Sequence, residues 1–205
     1  MIALALAAVM QVTFVEGPVT ANQQPLTMGT ELHEGDTVAT AEGGRVEIAL
    51  PEGAVIRLGE NSRLRLQAYQ PQKAFNAKLF IGNLWTKVHK LIAGETYLVE
   101  TENGVAGVRG TEFRVEVTAP GQTDLVRVYQ GVVQVGEERI EPGHELRFRR
   151  GEKPVGGEFD PASEKGHKFM DWVRSRPLGD GREPGAIHRI ERNPERENRV
   201  RHRDH

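Results

Sequence analysis

The sequence predicts an all-β fold, and three observations support this. Between Val12 and Arg149 nearly every segment is a short run of alternating apolar residues that ends at glycine, proline or asparagine. Such turns recur about every eight to twelve residues, as in proteins built from many short strands. Glycine is abundant, at 23 of 205 residues, and no helical pattern interrupts the runs. We therefore expect short strands arranged either as a solenoid-like stack or as a double sheet.

Residues 104–117 show the clearest strand pattern in the chain. Gly107 and Gly110 suit a bend, because glycine adopts backbone angles that a residue with a Cβ avoids. After the bend, apolar residues and Thr111 alternate with charged residues at a period of two. The predicted buried face consists of Thr111, Phe113, Val115 and Val117. The predicted solvated face consists of Glu112, Arg114 and Glu116.

One pattern occurs near both ends of the predicted domain. The spacing of glycine, valine, glutamate and leucine that starts at Gly17 returns without gaps from Gly131, and a weaker copy starts at Gly82. We expect the same strand, turn and strand unit at each place, since repeated units stack by burying similar apolar faces.

The first residues form an apolar run rich in small side chains, which is typical of the end of an export signal. We assign residues 1–11 to such a remnant, although the run lacks a leading Lys or Arg; a buried first strand is the alternative. The run is shorter than the roughly 20 apolar residues that cross a bilayer, so no stable membrane span is expected. The β domain is predicted over residues 12–150.

The pattern changes after the β domain. Residues 151–161 are predicted to form a linker, followed by an amphipathic helix over residues 162–176 that Asp160 and Pro161 start. Its aromatic stripe should dock on the β domain, because an isolated helix of this length is marginal in water. Residues 177–205 contain few apolar side chains and are predicted to be a disordered, Arg-rich tail. Interleaved glutamates and the lack of aromatic residues argue against nucleic-acid binding by this tail.

Composition and motifs favour a protein without an active site or a cofactor. The net charge is only −2, and the absence of cysteine excludes disulfides, thiolate metal sites and a cysteine nucleophile. Glu31, His33, Glu34 and Asp36 are the densest set of possible metal ligands, but only two of them would share a strand face. No nucleophile elbow, phosphate-binding loop or dinucleotide fingerprint is present. We expect a non-enzymatic protein that holds no metal.

Three arginines are candidates for a partner surface. Arg57, Arg63 and Arg65 alternate with apolar residues and are expected to point outward from neighbouring strands. Together they would form a basic patch for a protein or an anionic surface polymer. We favour an ordinary charged face over such a patch, with the arginines neutralised by pairing with Glu47, Glu52 and Glu60.

Over residues 12–148 the order and spacing of these motifs resemble the FecR domain. The resemblance includes the segments VEGPV at residues 15–19, LHEGDTVAT at 32–40, GRVEIALPEGAVIRLGENS at 44–62 and LFIGNLW at 79–85. It continues with YLVET at 97–101, VAGVRGTEFRV at 105–115 and VYQGVV at 128–133. The family residues, to which we give architectural roles, are Gly17, Gly35, Asp36, Gly53, Gly82, Arg109, Gly110, Thr111, Phe113 and Gly131.

The resemblance implies an all-β module that works outside the bacterial cytoplasm. In the founding regulators, this domain lies in the periplasm and relays a signal from an outer-membrane iron-siderophore receptor to an extracytoplasmic-function sigma factor. The present sequence shows neither the cytoplasmic segment nor the membrane helix of those regulators ahead of the domain. We therefore expect an exported binding or scaffold module of the cell envelope, periplasmic or extracellular. The alternative is a periplasmic component of transmembrane signalling that regulates such a sigma factor.

Overall fold

The computed structural model describes residues 9–89, 91–108 and 110–178. Within these residues the chain forms seventeen strands, one 3-10 turn and one α-helix, so the all-β prediction is confirmed. No helix among the described residues has the length and apolar character that a membrane crossing requires. The predicted export remnant and tail fall almost entirely outside this part of the chain.

The strands are short, except for one of fourteen residues near the middle of the chain. In the first half they are β1 (Met10–Glu16), β2 (Val19–Ala21), β3 (Gln24–Pro25), β4 (Glu31–Leu32), β5 (Thr37–Thr40), β6 (Arg45–Ala49), β7 (Val55–Leu58), β8 (Arg63–Gln70) and β9 (Ala74–Lys87). In the second half they are β10 (Thr96–Glu100), β11 (Val105–Val108), β12 (Glu112–Val117), β13 (Asp124–Gln130), β14 (Val133–Val135), β15 (Glu138–Ile140), β16 (His144–Phe148) and β17 (Val155–Glu158).

All seventeen strands belong to one mixed sheet that folds into two layers at β9. Layer 1 has the order β4-β1-β6-β7-β9-β12-β13-β16-β17. Layer 2 has the order β3-β2-β5-β8-β9-β10-β11-β14-β15. The first part of β9, Ala74 to Ile81, pairs in layer 2, and the part from Gly82 onward pairs in layer 1. The double-sheet alternative is therefore the one that the structure adopts.

Three glycines mark places where the chain crosses between the layers. Gly17 follows β1, Gly82 lies within β9 and Gly131 follows β13, and each has a positive φ, of 66°, 99° and 77°. A Cβ at any of them would overlap atoms of a neighbouring corner of the chain. The predicted repeat is thus present: β2 and β3 at one end and β14 and β15 at the other are equivalent hairpins in layer 2.

The hydrophobic core lies between the two layers. The predicted inward residues of β12, Phe113, Val115 and Val117, are at most 3% exposed, and Thr111 is also buried. Two details of the prediction for this segment are wrong. Gly107 lies inside β11, so the bend is at Gly110 alone, where φ is 74°. Arg114 faces away from the core but is only 2% exposed, because a later segment covers it.

The ends of the β domain differ from the predicted boundaries. Met10 and Gln11 belong to β1, and Met10 is fully buried opposite Leu32. The predicted linker contains β17, which pairs with β16 and extends layer 1 by one strand.

The predicted helical region is a 3-10 turn, Pro161–Glu164, followed by the helix α1, Lys168–Ser175. Asp160 caps the 3-10 turn by accepting a hydrogen bond from the backbone N–H of Ala162, as its position predicts. Gly166, with a φ of 88°, separates the two elements, since this backbone conformation cannot continue a helix.

Gly35, Asp36 and Gly53, which belong to the family motifs, lie in turns. Gly35 and Gly53 have φ values of 93° and 90°. The Asp36 carboxylate accepts hydrogen bonds from the backbone N–H of His33 at 2.8 Å and from the Asn22 amide at 2.6 Å. Arg109 lies outside the described residues.

Candidate functional site

The outer face of layer 1 is covered by residues 159–178, which we call the strap. The strap consists of Phe159, the 3-10 turn, α1 and the residues that follow α1. Under it lies an apolar cluster that combines both parts: Val55, Trp85, Phe169, Met170, Trp172 and Val173, with Phe14, Tyr129 and Leu178 at its margin. The predicted docking of the aromatic stripe on the β domain is therefore confirmed.

The carboxylate of Glu164 is the centre of a buried polar network under the strap. It accepts hydrogen bonds from Arg114 at 2.8 Å, from Arg127 at 2.9 Å and from the Tyr129 hydroxyl at 2.6 Å. Glu164 is only 3% exposed. Because a charge buried without partners would be costly, these contacts tie the strap to β12 and β13.

The surroundings of Glu164 keep it ionised. Burial alone would raise its pKa, but the hydrogen bonds from Tyr129 and Arg127 and the positive charges of Arg114 and Arg127 outweigh burial and lower the pKa. Burial and the hydrogen bond to Glu164 raise the pKa of Tyr129, so its hydroxyl stays protonated and donates. The network is therefore a structural ion cluster in which an ionised Glu164 accepts from a protonated Tyr129.

Arg57 is part of this covered face and does not lie on an exposed surface. Its guanidinium donates to Glu47 at 2.7 Å and to the carbonyl of Val173, near the end of α1, at 2.6 Å. The same group stacks over the ring of Trp85, 5.0 Å from its centroid. With 1% of its surface exposed, Arg57 cannot join Arg63 and Arg65 in a partner surface, so that prediction is wrong for Arg57.

The docking of the strap is expected to depend on pH through His167. Arg114 lies 3.2 Å from His167 Nε2, and since arginine only donates, this contact favours a neutral ring that accepts there. Burial and the charge of Arg114 lower the pKa of His167. Protonation then favours the undocked strap, so stability is complete above the ordinary pKa of about 6.5 and declines as the pH falls below it.

We expect His167→Gln to remove the part of the pH dependence that begins below about pH 6.5, because glutamine still accepts from Arg114 but does not titrate. Urea unfolding curves at pH 7.5 and pH 5.5, followed by tryptophan fluorescence, measure this. A variant that loses as much stability as the wild type between these pH values would show that His167 is not responsible.

The outer face of layer 2 is open over β8 and β9. Arg63 and Arg65 on β8 are exposed, and Lys78 lies opposite Arg65 on β9. Two cations lie over the half-buried ring of Phe80. The guanidinium carbon of Arg63 is 4.6 Å from the ring centroid, and the ammonium nitrogen of Lys78 is 5.3 Å from it. We call Arg63, Arg65, Lys78 and Phe80 the basic face.

Among the described residues, no ion pair within 4.0 Å involves Arg63, Arg65 or Lys78. Of the three glutamates that the sequence offers as partners, only Glu47 pairs with one of the three arginines, Arg57, and none pairs with Arg63 or Arg65. Glu47 pairs with Arg57, Glu52 accepts from the Tyr69 hydroxyl, and Glu60 accepts from the backbone N–H of Gly43. The basic patch is therefore not neutralised by these residues.

The possible metal ligands around His33 do not converge. Both carboxylate oxygens of Asp36 accept hydrogen bonds, one from the Asn22 amide and one from the backbone N–H of His33. Glu34 accepts a hydrogen bond from the backbone N–H of Tyr69. In the part of the chain that the structure describes, no group of three or more histidine or acidic side chains could hold a metal ion.

Sequence reasoning missed several residues of the covered face and of the basic face. The alternation in β12 predicts a solvated Arg114, and no role is predicted from the sequence for Arg127, Tyr129, Glu164, Lys78 or Phe80. The available signal was the alternation in β9, which places Lys78 and Phe80 on the face opposite Ala77 and Leu79. No local pattern indicates Glu164, because its partners lie up to 50 residues away.

Comparisons with known proteins agree with the fold. The model of the family described as FecR protein matches residues 36–134. Two solved structures, at 1.65 and 2.50 Å resolution, are of a "putative anti-sigma factor from Parabacteroides distasonis ATCC 8503". Both are 18% identical to this chain, with a TM-score of 0.55 over 67% of it. The chain spans 64% and 63% of their lengths, and such low identity shows a shared fold alone. No curated protein matches the chain.

Proposed function

The chain carries a domain of the FecR family, and we propose that it is a regulatory protein of a bacterial signalling system that acts by binding a protein partner. The partner would belong to a pathway that controls an extracytoplasmic-function sigma factor, either a receptor or an anti-sigma component. We further propose that the protein works outside the cytoplasm, in the periplasm or beyond it. This is the alternative that the sequence offered beside a general binding or scaffold role.

The family match over residues 36–134 carries this proposal. The matched residues include β5 to β13 and part of β14, and thus the long strand β9 that joins the two layers. The two similar solved structures also support a regulatory role, since they share the fold and are named as a "putative anti-sigma factor". Their shared fold does not by itself assign a function, because one fold serves many functions.

The charged residues of the domain suit binding better than catalysis. The densest buried cluster, around Glu164, is saturated by hydrogen bonds from Arg114, Arg127 and Tyr129. The basic face, in contrast, exposes Arg63 and Arg65, and among the described residues no carboxylate lies within 4.0 Å of its cations. We therefore propose that the protein is not an enzyme and needs no cofactor.

Deletion of the gene tests this function. We expect one coherent set of transcripts, sharing a promoter sequence of the sigma-factor type, to change by at least about fivefold, and a plasmid copy of the gene to restore them. RNA sequencing of the parent, deletion and complemented strains measures the effect. A deletion that leaves the transcript profile unchanged, under conditions where the protein is made, would contradict a regulatory role and leave only a scaffold role.

A further inference from the structure

The two outer faces of the sheet contain the same local arrangement on the two parts of β9. On layer 1, Arg57 of β7 stacks over Trp85 of β9, with 5.0 Å between the guanidinium carbon and the ring centroid. On layer 2, Arg63 of β8 stacks over Phe80 of β9 at 4.6 Å. In each case the arginine comes from the strand that pairs with β9 on one side.

The layer 1 arrangement shows how such a face is covered by polypeptide. The strap supplies acceptors to the arginines, namely the Glu164 carboxylate and the Val173 carbonyl, and places aromatic side chains beside the stacked ring. Acidic and carbonyl oxygens therefore meet the cations, while apolar groups of the same segment meet the aromatic residue.

The layer 2 arrangement has the cations but no such cover among the described residues. Arg63 and Arg65 are exposed, and Lys78 adds a third positive charge next to them on β9. Arginine at such a site forms bidentate hydrogen bonds with carboxylates. A segment with complementary charge on this face would therefore be negatively charged.

We propose that the basic face binds an acidic segment of the partner protein, whose carboxylates reach Arg63, Arg65 and Lys78 and whose apolar side chain packs on Phe80. A protein segment fits better than an anionic polysaccharide, because it offers both the carboxylates and an apolar group for the ring. This inference rests on the proposed function and specifies the chemistry of its partner.

Complementation of the deletion strain with charge-reversal variants tests the inference. The face variant is Arg63→Glu, Arg65→Glu and Lys78→Glu combined. The control variant is Arg139→Glu, Lys153→Glu and Lys168→Glu combined, which reverses three exposed charges that lie outside the basic face. Immunoblots and thermal melts of the purified proteins establish that both variants accumulate and fold.

We expect the face variant to lose at least about 90% of the ability to restore the transcripts, while the control variant stays within about twofold of the wild type. A variant with lysine at positions 63 and 65 should retain part of the effect, since it keeps the charge but loses the bidentate geometry.

Other outcomes separate this inference from the proposed function. A deletion without any transcript change overturns the proposed function itself. If the deletion has a clear effect and the face variant restores the transcripts as well as the wild type does, only the assignment of the basic face is overturned. If the face variant restores the transcripts but no longer binds immobilised alginate, which the wild type retains, the face serves an anionic polymer and the inference is also overturned.

Discussion

Replacing Gly131 by alanine is expected to lower the free energy of unfolding by about 3 to 5 kcal/mol, which is a large part of the stability of an ordinary domain. Two effects add at this position. The φ of 77° is unfavourable for a residue with a Cβ, and the new methyl group would overlap the carbonyl oxygen of Gly110 and crowd Thr111. Since both neighbours are held in a crossing between the layers, the backbone has little room to move.

Gly29→Ala is the matched control for this prediction. Gly29 also has a positive φ, of 86°, but no atom lies within 4 Å of the place where its Cβ would be. It should therefore lose only about 1 kcal/mol, the cost of the backbone conformation alone. Urea unfolding of both variants measures the difference, and equal losses would show that the packing at the crossing contributes nothing.

Replacing Glu164 by glutamine is expected to cost about 3 kcal/mol at pH 7, because it leaves the buried guanidinium of Arg114 and the partly buried one of Arg127 without their shared carboxylate. The folded-state pKa of Glu164 is lowered, so its contribution is complete above the ordinary value of about 4.3 and declines as the pH falls below it. The gap in stability between wild type and variant should therefore narrow in acid.

Glu116→Gln is the control for the Glu164 prediction. Glu116 also accepts from Arg114, at 2.6 Å, but its side chain is 27% exposed, so its loss should cost less than about 1 kcal/mol. Urea unfolding followed by the fluorescence of Trp85 and Trp172 reports on the covered face directly. Similar losses for Glu116→Gln and Glu164→Gln would contradict the central place of Glu164 in the network.

The strands, their inward residues and the repeated hairpins could be predicted from the sequence because each depends on neighbouring residues. Alternation at a period of two fixes which side chains of β12 face the core, as Phe113 and Val115 show. The glycine spacing at Gly17 and Gly131 reflects a local need for positive φ at a close crossing.

What covers an outward face cannot be predicted in this way. Arg57 and Arg114 have the alternation of solvated residues, and they are buried only because the strap, which begins 45 residues after Arg114, packs over them. The same limit applies to the choice between a solenoid and a double sheet. That choice depends on the pairing of distant strands, such as β1 with β6 and β13 with β16.

The most direct test of the regulatory function is to vary the amount of the protein in the deletion strain and follow the transcripts that respond to the deletion. With expression from an inducible promoter, the account predicts that these transcripts change steadily with the level of the wild-type protein, over at least about fivefold. Transcripts that stay constant while immunoblots show the protein rising from none to its natural level would contradict the account.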